Sequence, residues 1–350
     1  MGVVNNQNSS VQSTNPPVNK QLTKLISSLG DHDGLNYFCY IASQYGFSTA
    51  GRWSTLQQRI ASDIQSTSQD KIRCTEDNLE KAIDRFISQA DHIYQIVELD
   101  QLQASAIRKK IAQLGNKVRT SDAAKLYPCK FKFTDGQSYP IGFSLCKVSD
   151  LGDGYALVYS SVKVKRVYNR FDEYSQWLHT VFIPHACDRV EYRLSSNLPK
   201  RSVNDEMKEL KTSFINDLEM RHSGADSDTI NFFNAIQSLF DDTNVGRVSW
   251  GRVATFEEKP YQSSSASNDP GHCCRPELMT HKLSANNNTY HPWQMILQIK
   301  YNQTQDEEMH LEFSPGRQEW RDKKCYSLTI REPKDSMTLS NTLSNIISRS

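Results

Sequence analysis

Residues 153–194 read DGYALVYSSVKVKRVYNRFDEYSQWLHTVFIPHACDRVEYRL, the densest strand signal in the chain. YALVYSSVKVKRVY, LHTVFIP and RVEYRL are rich in β-branched and aromatic residues, and Gly152-Asp153-Gly154 marks the turn before the first. Just upstream, CKFKF (129–133) alternates apolar and basic residues, Asp135-Gly136 supplies a tight turn, and SYPIGFSLC answers as a second strand. Tight turns between neighbouring strands predict an antiparallel sheet over 127–197.

Outward from this stretch the period changes. From Gln21 to Leu114 apolar residues recur at steps of three and four, which predicts helices. The clearest run is Leu79, Ile83, Phe86, Ala90, Ile93 and Val97, with Thr75 as N-cap and Glu76 and Asp77 at the positive helix end. Ala104, Ile107, Ile111 and Leu114 form the next stripe. Met207, Leu210, Phe214 and Leu218, then Ile230, Phe233, Ile236 and Phe240, predict a helical hairpin over 203–240 with Gly224 in its break. A second β region over 246–332 contains GRVSWGRVATF, WQMILQIKYN, EMHLEF and CYSLTIRE, interrupted by a Ser/Asn/Pro-rich insertion at 259–292. The alternation in EMHLEF and CYSLTIRE predicts one sheet face in water. Met337 to Ile347 reads as a C-terminal helix.

The expected fold class is therefore α+β: an N-terminal α-helical bundle followed by a mainly antiparallel β body split by a helical hairpin. Residues 1–19, polar and ending in Pro16-Pro17, read as a disordered tail. Residues 20–126 read as a helical domain and 127–350 as an α+β domain.

Apolar content of 37% in 350 residues is enough to bury a core. The first residues lack a signal-peptide pattern, and no run approaches the ~18 apolar residues of a membrane span. Eight irregularly spaced cysteines fit free thiols in a reducing compartment, so a cytoplasmic protein with no membrane partner is expected.

The net charge of +1 conceals a polarised chain. Residues 1–100 carry −3, residues 101–171 carry +9 and residues 172–350 carry −5. The basic midsection holds Arg108, Lys109, Lys110, Lys117 and Arg119 beside the helical stripe, then Lys163 and Lys165 on one face of the long strand, with Arg166, Tyr168 and Arg170 following directly. Cations interleaved with rings suit nucleic acid, because ammonium and guanidinium groups contact phosphates while flat rings stack on bases. The same cations suit an acidic protein surface, or a solvated face that meets its own acidic flanks.

Two other patterns carry less. IASQYGFSTAGRWSTLQQRI (41–60) has helix-Gly-helix punctuation, but Trp53 and Leu56 fall about one residue late for a DNA-reading motif. His272, Cys273, Cys274, His281 and His291 crowd five potential zinc ligands into the insertion, without any CxxC pair. No metal or cofactor is expected. GxSxG, HExxH, Walker A and GxGxxG are all missing from the sequence. The expectation is a non-enzymatic binding protein, DNA-binding or otherwise nucleic acid-binding through its midsection. A protein–protein adaptor with an acidic partner is the alternative, and a metal-dependent enzyme with its site between the β regions the third.

Overall fold

The computed structural model describes residues 20–114, 121–166, 171–220, 229–256, 262–266, 269, 271–283, 290–300, 308–333 and 335–350, with backbone alone at 262–263 and 280–283. The two predicted β regions are halves of one antiparallel sheet. Its strands are β1 (His92–Glu98), β2 (Gly142–Asp150), β3 (Gly154–Lys165), β4 (Glu173–Pro184), β5 (Arg189–Ser195), β6 (Arg247–Ala254), β7 (Gln262–Ala266), β8 (His291–Lys300), β9 (Glu308–Phe313) and β10 (Leu328–Arg331). They lie in the order β2-β3-β4-β5-β1-β10-β9-β8-β6-β7.

The central strand β1 lies inside the segment read as helix. Helix α4 (Glu76–Gln89) begins as expected, with Thr75 Oγ1 accepting from the Asn78 amide at 3.2 Å, but it stops before Ala90. Ile93 and Val97 fit the helical stripe only because strand residues four apart also share a face. β1 pairs with β5 from His92↔Ser195 to Glu98↔Arg189 and with β10 from His92↔Ile330 to Tyr94↔Leu328, and so joins the halves. Both of its faces are covered, which removes the alternation that announces a half-buried strand.

On the Tyr94 face, α1 (Lys20–Ser28), α2 (Leu35–Gln44), α3 (Trp53–Gln65), α4 and the short α6 (Asp122–Leu126) cover β2–β4. Leu56, Phe86 and Tyr127 meet Val158 and Leu178 there. The same face of β1, β10, β9, β8 and β6 is covered by α8 (Phe233–Asp241), α9 (Arg275–Leu283) and α11 (Ser336–Ile347). On the Val97 face, α5 (Gln101–Leu114) and α7 (Val203–Asp217) cover β3, β4, β5 and β1. α10 (Arg317–Arg321) sets Trp320 against Trp293 and Ala254.

Two expectations change here. α5 does not join α1–α4, because the sheet runs between them. The 203–240 segment is not a helical hairpin: Leu210 and Phe214 of α7 bury against Tyr192 and Leu194, while Ile236 and Leu239 of α8 bury on the opposite face with Tyr94 and Leu311. The chain changes faces around the end of β1, where Thr229 bridges Val97 and the Ile230 amide donates to the Ile96 carbonyl at 2.9 Å.

Residues 129–133 are not a strand either. Three of their backbone amides find partners outside any ladder: Cys129 N donates to the Leu126 carbonyl at 3.1 Å, Lys130 N to Asp31 Oδ2 at 3.1 Å and Phe131 N to Gln176 Oε1 at 2.6 Å. The Asp135-Gly136 turn is present, with Gly136 at φ +78, a conformation that favours glycine.

Beyond α7, the Val97 side of the sheet carries polar residues. Register aligns Arg331, His310, Gln298 and Arg247 across β10, β9, β8 and β6, and no described helix buries an apolar side there.

Candidate nucleic-acid interface

The described cations of the basic midsection separate into two groups. On α5, Arg108 Nη2 donates to the carbonyls of His185 and Ala186 at 3.2 and 2.7 Å. Lys110 Nζ donates to the carbonyls of Leu218 and Glu219, just past the C-terminus of α7. These two side chains are committed to closing the fold, and Lys109 beside them is exposed.

Lys163, Lys165 and Arg166 lie at the far end of β3. The β3–β4 register runs from Gly154↔Pro184, next to the Arg108 contacts, to Lys165↔Glu173. At ~3.3 Å per strand residue the two groups stand about 30 Å apart. They do not share one face. Lys117, Arg119, Tyr168 and Arg170 lie outside the described residues.

Lys163 is held by Glu206 and Glu209 at 3.0 and 2.6 Å. Lys165 pairs with Glu173 at 3.1 Å, with both side chains more than half exposed. An exposed pair of that kind contributes little to stability and is readily exchanged for another anion. Arg166 is exposed and has no ion-pair partner among the described residues.

At this same tip the loop before β2 folds onto β4 and builds an aromatic cluster that the sequence reading missed. Phe133 stacks on Tyr174 with ring centroids 5.6 Å apart, and Tyr139 meets both edge-on at 4.9 and 5.1 Å. Phe131 joins through Phe133 and Tyr139. The Tyr139 hydroxyl fixes the loop: it accepts from the Thr134 amide at 2.9 Å and donates to the Lys132 carbonyl at 3.0 Å. Lys132 is exposed beside these rings. Phe171 and Ile141, 62% and 60% exposed, flank the cluster.

Other chemistry-bearing groups have structural partners. Ser161, His179 and Glu206 resemble a hydrolase triad in composition, but Ser161 and His179 both donate to Glu206 Oε1. His179 Nδ1 accepts from the Ser195 amide at 3.1 Å, which leaves no acceptor to take a proton from the serine. Ser161 and His179 are fully buried. Burial raises the Glu206 carboxyl, and hydrogen bonds from His179, Ser161 and Lys163 more than reverse it, down to about 2. The group is a polar clip between the sheet and α7.

The potential zinc ligands point to different places. His272 Nε2 pairs with Glu277 at 2.7 Å, Cys273 Sγ accepts from the Val248 amide, and Cys274 is buried in the core. The His291 ring lies against Phe256, and the His281 side chain is outside the described residues. Among the described residues no three His, Cys, Asp or Glu side chains gather as a metal site.

A cleft of about 750 Å³ near Cys273 contains Arg247 and Arg275, but both guanidiniums are already engaged. Arg275 caps α8 through the carbonyls of Leu239, Phe240 and Asp242, and Arg247 forms a two-point pair with Glu308.

No protein-family model, curated protein or solved structure matches the chain.

Proposed function

We propose that this chain binds nucleic acid, and that the interface is the β2–β3–β4 tip. The observation that supports this most is the gathering at one sheet tip of the exposed Lys132, Lys165 and Arg166 and the Phe133/Tyr139/Tyr174 cluster, with Lys165 on the sheet face opposite Tyr174. Phosphates take the cations, and rings offer flat apolar surface to bases. The α5 cations play no part in this interface. All eight cysteines carry free thiols, which suits a cytoplasmic setting.

Replacing Lys132, Lys165 and Arg166 together by Ala should flatten the slope of log affinity against log salt by about two units on a single-stranded oligonucleotide, at about 0.7 per phosphate contact. Fluorescence anisotropy at several salt concentrations reads this directly. Lys109→Ala should leave the slope unchanged. An unaltered slope in the triple variant, or no oligonucleotide binding by the parent chain at low salt, would count against the proposal.

The exposure of Ile141 and Phe171 supports a second reading, an adaptor that docks an acidic protein segment bearing apolar residues. In that case, Phe171→Ser would abolish partner binding while oligonucleotides show no affinity.

A further inference from the structure

Beside the aromatic cluster, the chain folds a cleft of about 650 Å³ between α1, α6 and the loop before β2. Four lysines, Lys24, Lys125, Lys130 and Lys132, face it against two aspartates, Asp31 and Asp122, and Phe131 and Tyr139 supply part of its wall. The size lies within the ~300–1,000 Å³ of small-molecule sites.

The lysines are not equivalent. Lys24 Nζ donates to the Lys125 carbonyl at 2.7 Å and Lys125 pairs with Asp122 at 3.1 Å, so both are partly committed. Lys130 is half-buried, and its ammonium has no carboxylate within ion-pair distance among the described residues. Burial draws it below the ordinary lysine range, with only partial compensation from Asp33 and Asp31. A partly desolvated cation without a direct counter-charge gains from an anion placed beside it. Lys132, two residues on, is exposed at the same cleft.

We infer that this cleft receives one nucleotide unit of a bound single strand, its phosphate at Lys130 and Lys132 and its base against Phe131 and Tyr139. The inference rests on the nucleic-acid reading of the tip and deepens it to a strand class. A base must leave its pair to lie on a protein ring, so single strands fit this cleft and intact duplex does not. The shared Lys132 and Tyr139 make the cleft continuous with the tip.

The test compares AMP, adenosine and inorganic phosphate by calorimetry on the full chain, alongside anisotropy with single-stranded and duplex oligonucleotides. AMP should bind at least tenfold more tightly than adenosine or phosphate, and Lys130→Gln should weaken it at least tenfold. Lys130→Gln should weaken the single strand too, with an unchanged circular dichroism spectrum; Phe131→Leu, which keeps the Tyr139 hydroxyl that fixes the loop, should weaken AMP more than it weakens inorganic phosphate. Oligonucleotide binding that depends on Lys165 and Arg166 but is indifferent to Lys130→Gln overturns the cleft and leaves the tip standing. AMP binding without any oligonucleotide binding also overturns it, since the cleft would then serve a free nucleotide. Equal affinity for duplex and single strand is a third contrary result.

Discussion

Phe86→Ala should destabilise the chain by about 3–5 kcal/mol, the range for removing a fully buried aromatic ring. Phe86 is 2% exposed, in the last turn of α4. Its ring meets Phe38 edge-on at 5.3 Å and lies 5.7 Å from Tyr37 and 5.9 Å from His32. Gly34, the left-handed residue that starts α2, comes so close that a Cβ there would sit 3.4 Å from the Phe86 ring. These neighbours all lie on residues 32–38, where the chain turns into α2, so the space left by the ring closes only if that whole segment shifts. Urea unfolding of the purified variant gives the number. A loss below about 1 kcal/mol would mean that the helical layer tolerates a void at its centre.

Arg193→Met should cost a comparable amount, about 3–5 kcal/mol, through a different term. Arg193 is 2% exposed on β5, between α4 and the C-terminal helix. Its Nη2 pairs with Glu191 at 2.6 Å and its Nη1 donates to the Ser88 carbonyl at 2.6 Å. The guanidinium also lies over the Phe182 ring at 4.1 Å. Methionine keeps much of the volume but leaves the buried Glu191 carboxylate with Arg189 alone, and the Ser88 carbonyl without this donor. Arg193→Lys, which keeps a cation beside Glu191, should therefore be more stable than R193M by about 1 kcal/mol or more. A lysine variant no more stable than R193M would show that the cost is packing, not charge.

Much of the sheet was legible because β3, β4 and β5 carry β-branched and aromatic runs bounded by turns. β1 was not, since Ile93 and Val97 continue the α4 stripe in phase and the strand is covered on both faces. α7 and α8 were legible as helices but not as elements on opposite faces. Sequence periodicity says which side of a helix is apolar and is silent on which sheet face receives it. CKFKF alternates like a strand, yet Asp31 and Gln176 take the Lys130 and Phe131 amides, and no strand pairs with it.

The site was legible to the same partial degree. Lys163, Lys165 and Arg166 stand out as cations on one strand end. Arg108 and Lys110 look the same in sequence, but their partners are carbonyls 77 and 108 residues away. The aromatic cluster joins Phe133 and Tyr139 to Tyr174 across the β2–β3 hairpin, so no local window contains it. The nearest sequence signal was the density of rings and lysines in 127–139, which the strand reading absorbed. Lys130 carries no signal of its own, because its lack of a counter-charge is a property of the folded cleft.

The most direct measurement is photo-crosslinking of a single-stranded oligonucleotide containing 4-thiouridine, followed by mass spectrometry of the crosslinked peptides. The proposed interface yields crosslinks in residues 129–141 and 171–176, on or beside Phe131, Phe133, Tyr139 and Tyr174, and they fade as salt rises. Crosslinks concentrated on α5 around Arg108–Lys110, or on the polar sheet face around Arg247 and His310, would contradict it.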